Sequence, residues 1–194
     1  MFTSDIYSAR RAELRRRVGK GIILLPGNVE SPFNYPNNTY HLRQDSTFLY
    51  YFGHNVPLLA GVIDADSGEE ALYGDEFTVD ESIWMGPQPS IKDLAAQVGV
   101  QKSMPFCKLK EVVGQAIAQG RKIHFLPPYR YDNMIWLEAL TGIKASLVKK
   151  YASIELIKAV VDLRAVKEAC EIIDKTLDGI FVSLLTNSTI RTGN

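Results

Sequence analysis

Cysteine is nearly missing from this chain. Two residues in 194, Cys107 and Cys170, cannot build a disulfide framework and suit a reduced, cytoplasmic setting. Net charge is missing too, since Lys+Arg and Asp+Glu both number 22. A general nucleic-acid binder would carry a clear basic excess, so no nucleic-acid partner is expected. No apolar run approaches the roughly 20 residues that span a bilayer, which excludes a membrane partner at this stage. The opening Met1-Phe2-Thr3-Ser4-Asp5 lacks the basic-then-apolar layout of a signal peptide.

Catalytic signatures are as scarce. There are three histidines, His41, His54 and His124, and no His-Glu-x-x-His, Cys-x-x-Cys or Asp-rich calcium loop to hold a metal. A Gly-x-Ser-x-Gly elbow is absent, and neither cysteine has an obvious catalytic partner. Leu25-Pro26-Gly27-Asn28 is too poor in glycine for a dinucleotide fingerprint. His124, inside an apolar strand, reads as a satisfied core histidine. Unaided, these residues could run neither a hydrolysis nor a redox reaction.

What is present is an ordinary globular composition, 46% hydrophobic and 23% charged. The length suits one domain, or one domain and a piece of another. The charge is segregated. Gln44 to Ile91 holds nine acids and no Lys or Arg, while residues 1–43 carry +4 and residues 92–194 carry +5. The acids either decorate a solvated hairpin or form a surface facing a basic partner or cationic ligand group. The cluster Arg10, Arg11, Arg15, Arg16, Arg17 and Lys20 reads as the solvated face of a first helix.

That helix starts at Thr3 or Ser4 as cap and runs to about Val18, where Gly19 and Gly21 end it. Gly21 to Pro26 is a short unbroken apolar run, the pattern of a buried strand, and an Asn- and Pro-rich loop follows. Leu58 to Ile63 and Glu70 to Tyr73 pair as a hairpin across Asp64-Ala65-Asp66-Ser67-Gly68. Helices are expected from Ser90 to Val98, Leu109 to Gln119 and Tyr131 to Leu140, with a second buried strand over Lys122 to Pro127. Strands alternating with helices predict an α/β class, a mixed β-sheet flanked by helices in three layers. From Val166 to Leu185 an apolar stripe at three-four spacing predicts a long amphipathic helix that needs a partner surface. The chain stops at Asn194 before anything could cover it, which reads as a truncation.

The distinctive segment is Tyr40-His41-Leu42-Arg43-Gln44-Asp45-Ser46-Thr47-Phe48-Leu49-Tyr50-Tyr51-Phe52-Gly53. Asp45 or Ser46 can cap a short helix over Thr47 to Phe52, with Gly53 as its left-handed exit. Phe48, Tyr51 and Phe52 would bury an aromatic face, and Arg43 would pair with Asp45 or a nearby carboxylate.

Arg43-Gln44-Asp45-Ser46-x-Phe48-x-Tyr50-x-x-Gly53 resembles the signature of the N-terminal domain of aminopeptidase P, the Xaa-Pro aminopeptidase family. Pro36-Asn37-Asn38-x-Tyr40, the Leu-Pro-Gly-Asn strand end and the strand Leu59 to Ile63 are similar to the family as well. So is Trp84-Met85-Gly86, although Pro87 stands where an Arg is common. Asp162-Leu163-Arg164-x-Val166-Lys167-x-x-x-Glu171-Ile172 resembles the hinge into the family's catalytic domain.

The resemblance implies a creatinase N-terminal-type domain with a ribonuclease H-like arrangement over residues 1–160. Residues 161–194 would then be the linker helix and truncated start of a catalytic "pita-bread" domain. In the family that domain holds two divalent metals, usually manganese, through two Asp, one His and two Glu. Such ligands would lie beyond Asn194, so no metal and no catalytic residue is expected in this chain. The implied reaction is release of an N-terminal residue preceding proline, whose tertiary amide has no N–H and a fixed φ. Implied partners are the chain's own C-terminal catalytic domain, further copies in a homo-oligomer, and peptides with proline in second position. Trp84, Arg43 and Asp45 are the candidates for a substrate-side or interface role. Two alternatives share the fold, an inactive peptide-binding module and an Xaa-Pro dipeptidase or creatinase.

Overall fold

Every second residue of β1, Ile22–Pro26, faces the same way, and both faces are apolar. Such a strand is stable only with layers on both sides, and the computed structural model supplies them. It describes residues 2–36, 38–78, 80, 83, 84 and 86–163. Residues 1–159 form one compact unit. The amphipathic stripe from Val166 and the hinge-like motif from Arg164 onward lie outside the described residues.

The sheet has the order β6-β5-β4-β1-β7. β1 runs antiparallel to β4, Ala60–Asp64, with Leu24 opposite Val62, and β4 runs antiparallel to β5, Glu70–Tyr73. The outer strands β6, Lys102–Met104, and β7, Ile123–His124, are parallel to their neighbours, so the sheet is mixed. On one face Ile22, Leu24, Val62, Ala71 and Tyr73 pack on α4, Lys108–Ala118, and α5, Tyr131–Thr141, through Leu109, Val113 and Leu137. The other face carries α1, Ser4–Val18, and α2, Ser46–Phe52. There the Phe52 ring lies so close to Gly61 that any side chain at 61 would overlap it. α3, Ile91–Gln97, crosses between β5 and β6 behind a capping box of Ser90 and Asp93. A 3-10 helix, Ala145–Tyr151, and α6, Ile154–Leu163, follow. Among the described residues no helix is long and apolar enough to cross a membrane.

Three expectations change. The second buried strand shrinks to Ile123–His124 because Pro127 and Pro128 cannot donate to a ladder. The Asn- and Pro-rich loop contains a ribbon, β2 Pro32–Tyr35 and β3 Asn38–Thr39, whose first strand is exposed throughout. The arginine cluster on α1 is not one solvated face. Arg11 is fully buried beside Tyr7 and Leu14. Its guanidinium donates to Glu70 at 2.7 Å, to the Tyr51 carbonyl at 2.9 Å and to the Val98 carbonyl at 2.8 Å. Arg10 lies 3.9 Å over the Tyr50 ring, while Arg16 and Arg17 pair with Glu13 on the surface.

The acidic block is consumed in the same way. Asp64 and Asp66 accept from Arg121, Glu69 from Lys102 and Glu70 from Arg11. Asp75 and Glu76 accept from the Phe106 and Ile91 amides. Four of the nine acids, Asp64, Asp66, Glu69 and Glu70, are thus paired with cations from the two basic flanks.

His124 is a satisfied core histidine, with Nε2 2.8 Å from the Lys20 carbonyl and Nδ1 2.6 Å from Ser153 Oγ. His54, also buried, donates from Nε2 to the Leu94 carbonyl at 2.7 Å. Burial pushes both imidazoles below the usual histidine range. The folded rings resist protonation, whereas the unfolded chain takes up protons below about pH 6.5. Stability is therefore expected in full above that pH and to decline as pH falls through it. Urea midpoints between about pH 7.5 and 5 check this, and His54→Gln should flatten part of the slope. An identical slope in the variant would exclude His54 as a source.

Candidate functional site

The ends of β1 and β4 meet at a loop where the sequence singled out Arg43 and Asp45. Gly27, just past β1, donates to the Leu59 carbonyl at 2.8 Å. A Cβ there would sit 2.7 Å from that oxygen and 3.0 Å from Gln44 Nε2, which explains the glycine of Leu-Pro-Gly-Asn. Asn28 follows, fully buried, and four residues converge on it. Its N–H donates to Gln44 Oε1 at 2.5 Å. Its Nδ2 donates to the Arg43 carbonyl at 2.8 Å and the Tyr129 hydroxyl at 3.0 Å, and its Oδ1 accepts from Asn133 at 3.3 Å.

Gln44 is the second hub and is as buried as Asn28. Its Oε1 also accepts from the Asp45 N–H at 2.8 Å, and its Nε2 donates to the Val56 carbonyl at 2.7 Å. Asp45 caps α2, one carboxylate oxygen accepting from the Thr47 and Phe48 amides at 2.8 and 2.9 Å, a contribution of about 1 kcal/mol. Gly53 closes that helix in the left-handed region, φ 70°, and Phe48, Tyr51 and Phe52 are all buried as the pattern predicts. Arg43 is exposed and donates to Ser46 Oγ at 3.2 Å instead of pairing with a carboxylate, because Asp45 is committed to the helix.

Beside the hubs lies an apolar cleft of about 70 Å³, lined among others by Pro26, Leu58, Phe106 and Trp136. Leu58, exposed at its rim, holds φ 58°, a conformation that costs a branched residue roughly 1–3 kcal/mol. Around the loop stand further exposed aromatics. Ser31 accepts from Arg130 Nη2 at 2.8 Å and from the Tyr40 N–H at 2.9 Å, drawing Phe33, Tyr40, Tyr129 and Tyr131 to the same neighbourhood. Trp84 is 87% exposed, and among the described residues no hydrogen bond or ring contact joins it to Arg43 or Asp45.

The residues that sequence reasoning passed over are Gln44, Asn28, Tyr129 and Asn133. Asn28 and Gln44 stood inside quoted motifs, but their partnership spans 16 positions and no periodicity announces it. Chemically the arrangement braces and presents. Among the described residues no three His, Cys, Asp or Glu side chains gather where a metal ion could sit. His54 and His124 are committed to backbone carbonyls, so these residues do not fit a metal pair.

The family "Aminopeptidase P, N-terminal domain" matches residues 7–126. No curated protein sequence matches the chain. Solved structures do. The low-pH form of Escherichia coli aminopeptidase P aligns at TM-score 0.58 and 21% identity, over 74% of this chain and 33% of that one. A zinc-substituted E. coli enzyme in complex with product aligns at 0.57 and 22%, over 72% and 32%. The aminopeptidase PepP of Pseudomonas aeruginosa aligns at 0.63 and 20%, over 78% and 35%. The chain therefore spans about a third of the length of these enzymes.

Proposed function

Because this chain belongs to the family of aminopeptidase P N-terminal domains, we propose that it is the non-catalytic N-terminal domain of a proline-specific metallo-aminopeptidase. The family match over residues 7–126 carries this reading. Release of an N-terminal residue preceding proline is assigned to a C-terminal domain of the same polypeptide. Two divalent ions, manganese in this proposal, belong to that domain and not to the residues described here. A zinc-substituted relative supports metal dependence of the family's chemistry.

The domain's own part is to wall the cleft and to help build a homo-oligomer, in a cytoplasmic setting. Exposed aromatics around a rigidly laced loop suit that role, since clustered apolar surface marks a contact site. Trp84 is the foremost contact residue in this reading. Arg43, whose exposed side chain is held among the described residues by Ser46 alone, is the second candidate. Asp45 acts through the helix that it caps.

The test is Trp84→Ala in the full-length enzyme, with the 194-residue chain as a control that should turn over no Xaa-Pro peptide. At 87% exposure the side chain adds little to folding, within about 0.5 kcal/mol. The expected result is a loss of about tenfold or more in kcat/KM, or a smaller oligomer by sedimentation. Unchanged kcat/KM and unchanged assembly together would remove Trp84 from the site, and turnover by the control would overturn the domain assignment.

A further inference from the structure

At the end of β1 and β4 away from the braced loop, a cavity of about 230 Å³ opens between α4 and the sheet. Its floor is apolar, made by Ile22, Val62 and Ala71. Tyr73 lines it as well. That residue is only 2% exposed, yet its hydroxyl makes no hydrogen bond among the described residues. The hydroxyl opens onto the cavity, where it can donate to a solute that enters and displaces water. Burial, and then the Glu69 carboxylate, push the Tyr73 phenol up, which keeps it a neutral donor.

Two ion pairs stand on the rim, Asp64 with Arg121 and Glu69 with Lys102, the latter at 2.7 Å. Neither pair exhausts its groups. Arg121 bonds carboxylates through Nε and Nη2, leaving Nη1 unused among the described residues. Lys102 spends one of its three N–H bonds, on Glu69 Oε1, so Glu69 Oε2 is spare. Among the described residues Asp64 accepts only through Oδ1.

We propose that this cavity binds a free α-amino acid with an aliphatic side chain. Its carboxylate meets Arg121, Lys102 and the Tyr73 hydroxyl, its ammonium meets Asp64 and Glu69, and its side chain covers the Ile22–Val62–Ala71 floor. The rim carries charges of both signs, Arg121 being shared by Asp64 and Asp66, so a zwitterion can meet a partner at each of its ends. The volume falls below the roughly 300–1,000 Å³ of sites for drug-sized ligands, which selects a single small solute. This site stands independently of the peptidase reading.

The experiment is a titration of the isotope-labelled 194-residue chain with L-valine, followed by NMR. The Ala71 and Tyr73 backbone amides and the Gln115 side-chain amide, which also borders the cavity, should shift and saturate with a Kd on the order of millimolar. Isovalerate, lacking the ammonium, and isobutylamine, lacking the carboxylate, should each bind about tenfold more weakly. Tyr73→Phe should weaken valine by about fivefold to tenfold. If that variant does not fold, Lys102→Gln on the exposed rim should weaken valine by a similar factor. Absence of saturable shifts, equal binding of isovalerate, or unaltered affinity in the folded variant would each overturn the proposal.

Discussion

Replacing Arg11 by alanine is expected to lower the unfolding free energy by about 3–5 kcal/mol, more than any other single change considered for this chain. The guanidinium has no solvent contact and serves three elements at once. Glu70 on β5 would keep a carboxylate whose side chain is only 17% exposed and would lose its counter-charge. The Tyr51 carbonyl lies in the last turn of α2, and Val98 is the C-cap of α3, so two helix ends would lose a donor together. A cation at the negative end of a helix also gains from the backbone dipoles, an additional loss. Lysine at the same place should recover only part, because one ammonium cannot span the fork that reaches all three acceptors. Guanidinium denaturation measures the difference directly, and the melting temperature should fall by on the order of 10 °C. A loss under about 1 kcal/mol would put Arg11 among ordinary surface pairs and refute the role given to it here.

Gln44→Ala is expected to cost about 3 kcal/mol through the hydrogen bonds it deserts. The Asn28 and Asp45 amides would lose their shared acceptor, and the Val56 carbonyl its donor, all in a region with little water access. Gln44→Glu separates the two halves of that role. A carboxylate can still accept from both amides, but its second oxygen would face the Val56 carbonyl with no proton between them. Burial and that repulsion raise the new carboxyl's pKa in the folded state, so the variant should gain stability relative to the parent as pH falls. Denaturation curves at neutral and mildly acidic pH test this. Equal deficits of Gln44→Glu at both values would mean that the Val56 bond contributes nothing.

These two residues also mark where reading the sequence runs out. β1, the Asp64–Gly68 hairpin turn, the Asp45 cap and the Gly53 exit are legible because their signals lie within a few positions of one another. Arg11 was hidden by company: in a run of arginines it looks solvated, although Tyr7 and Leu14 place it on the inward face of the helix. Its acceptors, 40 to 87 positions away, could not be foreseen from local pattern. Gln44 stands between two charged residues, and nothing in the local pattern marks it as buried. The ribbon of β2 and β3 escaped because strands exposed throughout show no apolar alternation. The exposure of Trp84 is likewise a product of the fold and carries no local signature.

The position of β7 has a consequence for biosynthesis. β1 is the most apolar strand of the sheet, and one of its edges stays open until Ile123 and His124 have been translated and docked. A nascent chain halted before that point presents an unpaired apolar edge, which invites pairing with other chains. Closure relies on very few contacts, among them the Ile22 amide donating to the Lys122 carbonyl at 2.9 Å. At Gly21, φ 94°, a side chain would overlap that same carbonyl. Substitution at Gly21 should therefore show itself first as aggregation during expression, upstream of any effect on the mature domain.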